Sequence, residues 1–442
     1  MVGRGLAALA ILAVFTTTSC SHDSPDPVRD RGAGSAESPL VPSCEGVVPA
    51  GCQVAAGVRF FVYGNPTSDE MVLLDLGGPG VNVGDTPGLD EVVGEVPASV
   101  RSSHRIVVME EPWVVSPTQP SARCRAASAR WLQAVRDQLP RTDPSPTIPT
   151  AAHKLWGDCA DALNEAGWSP STYNKAIDAV EERLDARLTA FVGISYGGVR
   201  RLYLDERHQP TWTLLVDPAP YPHGPDGLAS MIADRANAIA SNVNQMCQTC
   251  VTTWPDDLTA TAAALDDRPV AVPGRSIPVT GADVYAAAVL IGRQPATTAS
   301  SLLSALTSGG HLTDDQAALV ASVSDGALSR YGTVDLAPQA LAYVDEVCRS
   351  YQGQVGQVHE DVLKRTLGVM HSNCDGRTIP AFALSKPIGA SVSCIGVHAN
   401  DFVATTSIDG WEHAYPTTDV EQLPPNTHGY LNDVPCWKAL EP

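Results

Sequence analysis

Residues 189–206 read TAFVGISYGGVRRLYLDE, and the setting of one serine within them decides the fold. Thr189 to Gly193 has the apolar character of a buried strand, and Gly197 to Glu206 has helical spacing. Between them stands Gly193-Ile194-Ser195-Tyr196-Gly197. A Gly-x-Ser-x-Gly turn between a strand and a helix lifts its serine above the sheet edge, because the glycines permit the sharp bend. A serine hydroxyl is a weak nucleophile, so it needs a base in contact and donors for a developing oxyanion. The turn aims one such donor, the backbone N–H of Tyr196, and makes Ser195 the candidate nucleophile.

Working outward, short apolar runs alternate with helical segments. Val58 to Tyr63, Met71 to Leu76, Arg105 to Met109 and Thr213 to Val216 are expected strands. Ala122 to Gln138 is an expected helix within the otherwise loop-rich stretch from Pro112 to Pro149, and Thr172 to Leu188 is another. Such alternation predicts a parallel sheet covered on both faces. From Tyr221 to about Lys386 the pattern becomes Ala-rich and helical, at Gly227 to Asn242, Thr259 to Leu265, Ala282 to Ile291 and Asp314 to Ser322. Strand character returns at Val392 to Val397. Leu76-Gly77-Gly78-Pro79-Gly80 follows the Met71 to Leu76 strand, where Gly77 and Gly78 would let the backbone approach a substrate carbonyl and supply the second oxyanion donor.

Gly-Gly-Pro-Gly after a strand, followed later by Gly-Ile-Ser-Tyr-Gly-Gly, resembles the proline iminopeptidase and tripeptidyl aminopeptidase group of α/β-hydrolases. Leu214-Leu215-Val216-Asp217-Pro218 stands where that group has a strand ending in Asp before a helical cap. The resemblance implies an α/β-hydrolase fold, a mostly parallel central sheet flanked by helices, with an inserted helical cap domain. It also implies a triad in the order Ser, Asp, His. The Asp falls on Gly396-Val397-His398-Ala399-Asn400-Asp401 and the His on Thr427-His428-Gly429. His428 would take the Ser195 proton, and Asp401 would fix the imidazole and stabilise its charged form. Competitors are His398 and His413 for the base, Asp409 and Asp419 for the acid. Two segments depart from the group's pattern. Asp75-Leu76 precedes the glycine loop in place of a His or an Asn-Pro. Glu110-Glu111-Pro112-Trp113 stands where the group has Asp-x-Arg-Gly. The floor of the site is therefore remodelled.

The resemblance implies an aminopeptidase acting on short peptides. A carboxylesterase on small or cell-envelope acyl esters is the alternative, since one triad serves both. A third reading is a catalytically silent, lipid-anchored binding protein on the same scaffold. An aminopeptidase would need a cap carboxylate for the substrate's α-ammonium, and Asp345, Glu346, Glu360 and Asp361 are available by sequence.

The termini and composition set the compartment. Arg4 followed by the apolar run Leu6 to Phe15 is too short for a bilayer span of about 20 residues and predicts a signal peptide over 1–19. Thr17-Thr18-Ser19-Cys20 resembles a lipoprotein cleavage site, with Cys20 as the lipidated residue; the alternative is an ordinary signal peptide and a secreted protein. Residues 20–43, rich in Ser, Pro, Asp and Gly, form a tether. The core is then expected over 44–220 and 387–442, with the cap over 221–386. Setting Cys20 aside, an even set remains of the 11 cysteines. In an exported chain these are expected to form disulfides between sequence neighbours. Cys247-x-x-Cys250 lacks the second ligand pair that zinc requires, so a structural bridge is expected there and no metal. The formal charge of -20 argues against a nucleic-acid partner. No nucleotide fingerprint or cofactor motif is present, so no cofactor is expected. A small peptide or ester is the partner that the resemblance implies, with membrane contact through Cys20.

Overall fold

The structure is a computed structural model that describes residue 44 and residues 51–80, 83, 88–115, 120–139, 141–143, 145–222, 224, 226–247, 253–294, 296–332, 338–355, 361–384, 393–398, 408–424 and 428–441. Cys20, Cys250, Glu360 and Asp401 lie outside them.

Among the described residues, eight strands form one sheet in the spatial order β1-β2-β4-β3-β5-β6-β7-β8. They are β1 (Cys52–Ala55), β2 (Val58–Gly64), β3 (Glu70–Asp75), β4 (Arg105–Met109), β5 (Arg187–Ile194), β6 (Trp212–Val216), β7 (Cys394–His398) and β8 (Asp419–Leu423). The β1–β2 and β2–β4 pairs are antiparallel, and every pairing from β4 through β3 to β8 is parallel. The two-residue period sends neighbouring side chains to opposite faces. Met71, Leu73, Val107, Phe191 and Leu215 enter one apolar cluster, whereas Val72, Leu74, Ile106, Val192 and Leu214 enter the other. Both faces are thus dry, which is why these strands are apolar throughout rather than alternating.

Several helices form where the periodicity places them, and the differences have local causes. Ala122–Gln138 is helical as expected, started by the Ser121 side chain accepting from Cys124 N–H. The next predicted helix begins at Pro170, behind a Ser169–Thr172 capping box. It ends at Leu184 because Asp185 turns left-handed, at φ 48°, before β5. The helix after Ser195 spans only Gly197–Arg201 rather than reaching Glu206. Asn174 replaces the helical bonds there: its Nδ2 donates to the Tyr203 carbonyl and its Oδ1 accepts from Asp205 N–H. Thr147–Ala166 is a helix where the sequence suggests loop up to Pro149. Pro149 falls in its first turn, where a missing N–H costs no intrahelical bond.

Between β6 and β7 the described chain is helical, at Gly227–Met246, Trp254–Asp267, Gly281–Ala288, Ala296–Leu306, Asp314–Gly332, Pro338–Ser350 and Val362–His371. An isolated β-bridge joins Val270 and Val279. Four disulfides join sequence neighbours, as expected: Cys44–Cys52, Cys124–Cys159, Cys348–Cys374 and Cys394–Cys436. Cys247 is also disulfide-bonded. No described helix is long and apolar enough to cross a membrane.

Candidate active site

β5 runs into Ser195, and the chain turns there. Ser195 has φ 54°, a left-handed backbone that a non-glycine residue adopts only when its surroundings hold it. The holding bonds are its N–H to the Val216 carbonyl at 3.0 Å, and its own carbonyl accepting from Ala219 N–H at 2.9 Å and Gly198 N–H at 3.1 Å. The serine is therefore pinned to the end of the neighbouring strand β6, with Gly197–Arg201 leading away as a helix. A serine held at positive φ at the C-terminal edge of a parallel sheet, on this strand order, has the backbone geometry of a strand–turn–helix elbow. The fold is an α/β-hydrolase.

In an α/β-hydrolase the supporting loops must reach the elbow, and two of them do. A Cβ on Gly77 would lie 2.0 Å from the Ile194 carbonyl oxygen and 2.8 Å from the Tyr196 nitrogen, so only glycine permits this approach. The glycine loop after β3 is thus packed on the turn that carries Ser195. On the other side, Gly429, at φ 76°, would place a Cβ 2.4 Å from Ile194 Cγ2. That seats the His428–Gly429 turn against the residue just before Ser195. His428 keeps 24% of its side chain exposed.

The structure packs Gly77, with Gly78 next in the chain, and Gly429, with His428 before it, on the turn that carries Ser195 and Tyr196. One of these is corrected in role. The Gly77 N–H donates to Asp75 Oδ1 at 2.8 Å, so it is already engaged and is no oxyanion donor. Gly77 instead provides the close backbone approach, and Gly78, at φ 55°, is the candidate donor of that loop. Asp401 lies outside the described residues.

Asp217, which the sequence marks as the end of a strand but to which no role in the site was assigned, sits at the centre. Asp217, fully buried at the end of β6, accepts from the His398 N–H at 2.8 Å, from His398 Nδ1 at 2.7 Å and from the Gly429 N–H at 2.7 Å. Burial would raise its pKa, but the His398 hydrogen bond and the charges of His428 and His398 outweigh that and hold it below the usual carboxylate range. Its Oδ2 is 3.9 Å from His428 Nδ1, beyond hydrogen-bond length. Asp217 therefore anchors the turn that carries His428 and supplies negative charge near its ring. The signal for it was available: a lone carboxylate ending the apolar run Thr213 to Val216.

The competing residues are decided by burial and bonding. His398 is fully buried, with Nδ1 on Asp217 and Nε2 3.3 Å from Asp433 Oδ1, so neither nitrogen faces a substrate. Burial pulls its pKa down, yet the two carboxylates leave it raised. His413, Asp409 and Asp419 are exposed. Of the cap acids, Glu346 is fully buried on Arg200, Asp345 is buried against Arg349 Nη1 at 3.3 Å, and Asp361 caps Val362–His371 by accepting from Leu363 and Lys364 N–H. Glu346 and Asp345 are thus taken up within the protein, whereas Asp361 is exposed and uses one oxygen, Oδ1, as the helix cap.

Beneath the glycine loop lies a buried charge network. Arg200, on the helix after Ser195, reaches Asp75 Oδ1 at 3.4 Å with Nη1. Its Nη2 meets Glu111 Oε1 at 2.6 Å and Glu346 Oε1 at 2.9 Å, and its Nε meets Glu346 Oε2 at 2.9 Å. The Tyr173 hydroxyl donates to the other oxygen of Asp75 at 2.5 Å. Glu110, next in line, accepts from Val83 N–H and pairs with Arg59. Glu110 and Glu111 are the residues that depart from the resembled pattern, and both are structural supports of the site floor. Among the described residues, one group of side chains has metal-ligand proximity, Asp178, Glu181 and His208. Asp178 Oδ1 already pairs with His208 Nε2 and Glu181 Oε1 accepts from the Leu188 N–H, and the group is not in the sheet-edge site.

Among solved structures, the chain is similar to a bacterial membrane phospholipase A, at 11% identity and TM-score 0.37 over 89% of this chain and 86% of that one. It is also similar to a carboxylesterase of the thaumarchaeon Nitrososphaera gargenis, at 11% identity and TM-score 0.33 over 89% and 94%. A third is the enol-lactonase of Burkholderia xenovorans, at 11% identity and TM-score 0.31 over 88% and 96%. No family model matches the sequence, and no curated protein matches it.

Proposed function

We propose that this protein is a serine hydrolase that cleaves an ester or amide bond through an acyl-enzyme. The observation that carries the proposal is Ser195, held at positive φ on the sheet edge between two glycine-bearing turns that both pack on Ile194. In this mechanism His428 removes the Ser195 proton, Asp401 orients the imidazole, and Asp217 anchors the turn. The oxyanion of the tetrahedral intermediate is taken by Tyr196 N–H at the start of the Gly197–Arg201 helix and by Gly78 N–H. His428 then returns its proton to the leaving group, and water reverses the sequence.

Aminopeptidase action on short peptides is the first substrate reading, supported by the resemblance of the glycine loop and elbow. Esterase action is favoured by one observation: Glu346 and Asp345 are buried and paired within the protein, with Arg200 and Arg349. A panel of peptide anilides with free and N-acylated amino termini, together with short-chain acyl esters, separates them. The aminopeptidase reading expects at least tenfold higher kcat/KM for the free amine, a ratio of about 1.4 kcal/mol. Equal rates on free and blocked peptides would remove it in favour of the esterase.

We further propose export and lipid anchoring at Cys20. Cys20→Ala is expected to move the protein from the membrane fraction to the soluble extracytoplasmic fraction. A variant that still partitions into detergent would refute the anchor.

A further inference from the structure

The Arg200 network is more than a device for burying charge, because of what its ends touch. One end is the backbone of the glycine loop. Asp75 is only 7% exposed, and a single oxygen of its side chain, Oδ1, takes both the Gly77 N–H and Arg200 Nη1. The other oxygen is held by the Tyr173 hydroxyl. Three donors thus fix the carboxylate, and the carboxylate fixes Gly77. The loop amide next in sequence is Gly78, the proposed oxyanion donor.

The second end is the helix that follows Ser195. Arg200 is five residues beyond the nucleophile, and its guanidinium also lies 5.7 Å from the centroid of the Tyr196 ring, whose N–H is the other proposed oxyanion donor. A Cβ on Gly197 would come within 2.6 Å of the Asp75 carbonyl oxygen, so β3 and the elbow are in direct backbone contact here. The third end is the helical segment over the sheet. Glu346, on Pro338–Ser350, gives both oxygens to Arg200 and also accepts from the Trp168 N–H at 2.8 Å. From that same helix Ser350 Oγ accepts the Tyr196 hydroxyl at 2.8 Å. Both oxyanion elements are therefore referenced to one buried guanidinium, and that guanidinium to the cap.

We propose that Asp75 is a positioning residue for acyl transfer, clamping the glycine loop to the nucleophile helix through Arg200, with Glu346 making the clamp depend on a seated cap. The inference rests on the serine-hydrolase reading above. An oxyanion donor acts only when it meets the tetrahedral oxygen and not the ground-state carbonyl. Loss of the clamp should therefore lower kcat and leave KM nearly unchanged. A merely structural role would lower the fraction of active protein and leave the turnover of the surviving sites as it was.

The test uses the full-length protein with the hydrolysed substrate from the panel, counting active sites by fluorophosphonate titration. Asp75→Ala removes the acceptor and is expected to lower kcat per titrated site by about 10- to 100-fold, with KM within about threefold. Asp75→Asn keeps an acceptor for the Gly77 N–H and is expected to recover part of that loss. Glu346→Gln keeps an acceptor for the Trp168 N–H but removes charge from Arg200, and a smaller fall, about threefold to tenfold, is expected. If Asp75→Ala yields no titratable protein, Asp75→Asn decides, with a kcat at least about threefold below wild type expected. Asp75 variants that turn over at the wild-type rate per site overturn the clamp while leaving the hydrolase intact. Wild type that neither titrates nor hydrolyses overturns both.

Discussion

Ser195→Ala is expected to abolish labelling by a fluorophosphonate and to lower kcat on any hydrolysed substrate by on the order of 10⁶-fold, the scale for loss of a triad serine. The fold should survive, because the Ser195 bonds seen at the elbow are backbone bonds: its N–H to Val216 and its carbonyl to Ala219 and Gly198. Alanine keeps all three. It does meet the same left-handed strain at φ 54°, so a small change in thermal midpoint is expected and no change in circular dichroism. The residual rate should lie about 10³- to 10⁴-fold above the uncatalysed reaction, supplied by binding and the oxyanion donors. The decisive comparison is labelling of wild type against the variant under identical conditions. Wild type and Ser195→Ala reacting equally would end the serine-hydrolase proposal and restore the silent binding protein on the same scaffold.

The elbow was legible in the sequence because it is local. Strand, turn and helix occupy adjacent residues, and the glycines that permit the bend are themselves part of the pattern. The His428–Gly429 turn was legible for the same reason, as a His followed by the residue that allows a positive φ. The carboxylate at Asp217 was harder, since its partners, His398 and Gly429, are 181 and 212 residues away. Only the sheet order places β7 beside β6 and lays the C-terminal turn over both. The Arg200 network was least legible. Glu111 and Glu346 lie 89 and 146 residues from Arg200 in opposite directions, and in sequence each looks like a solvated surface carboxylate. The reading of Gly77 as an oxyanion donor failed through a neighbour's side chain: the departure at Asp75 had been noted, but not that its carboxylate would capture the Gly77 N–H. Among secondary-structure elements, Thr147–Ala166 was hidden by Pro149, because a proline in a first helical turn and a proline in a loop look alike without the following register.

Arg200→Met is expected to be among the most destabilising single substitutions in the protein. Arg200 is 3% exposed, and its guanidinium is the shared partner of Asp75, Glu111 and Glu346, all of them buried. Methionine fills much of the volume but leaves these carboxylates without their cation. Removing one side of a buried ion pair costs about 3–5 kcal/mol, far more than the pair itself contributes, because the remaining charge is neither solvated nor matched. The cost should depend on pH in a definite sense. Burial already raises the pKa of Glu111 and of Glu346, with Arg200 opposing the rise in both. Without Arg200 their folded-state pKa values rise further above the unfolded ones. Such a group costs nothing while protonated in both states and penalises the fold increasingly as pH climbs above its unfolded pKa, about 4.3 for a glutamate. The variant should therefore lie closest to wild type near pH 4 to 5 and fall progressively behind toward pH 8, read as urea midpoints across that range. A compensating set tests the cause. Adding Glu111→Gln and Glu346→Gln to Arg200→Met removes two of the stranded charges and should recover part of the loss at pH 8, with little effect at pH 4.5. A deficit that is the same at both pH values, and that the glutamines do not relieve, would mean that Arg200 acts through packing alone.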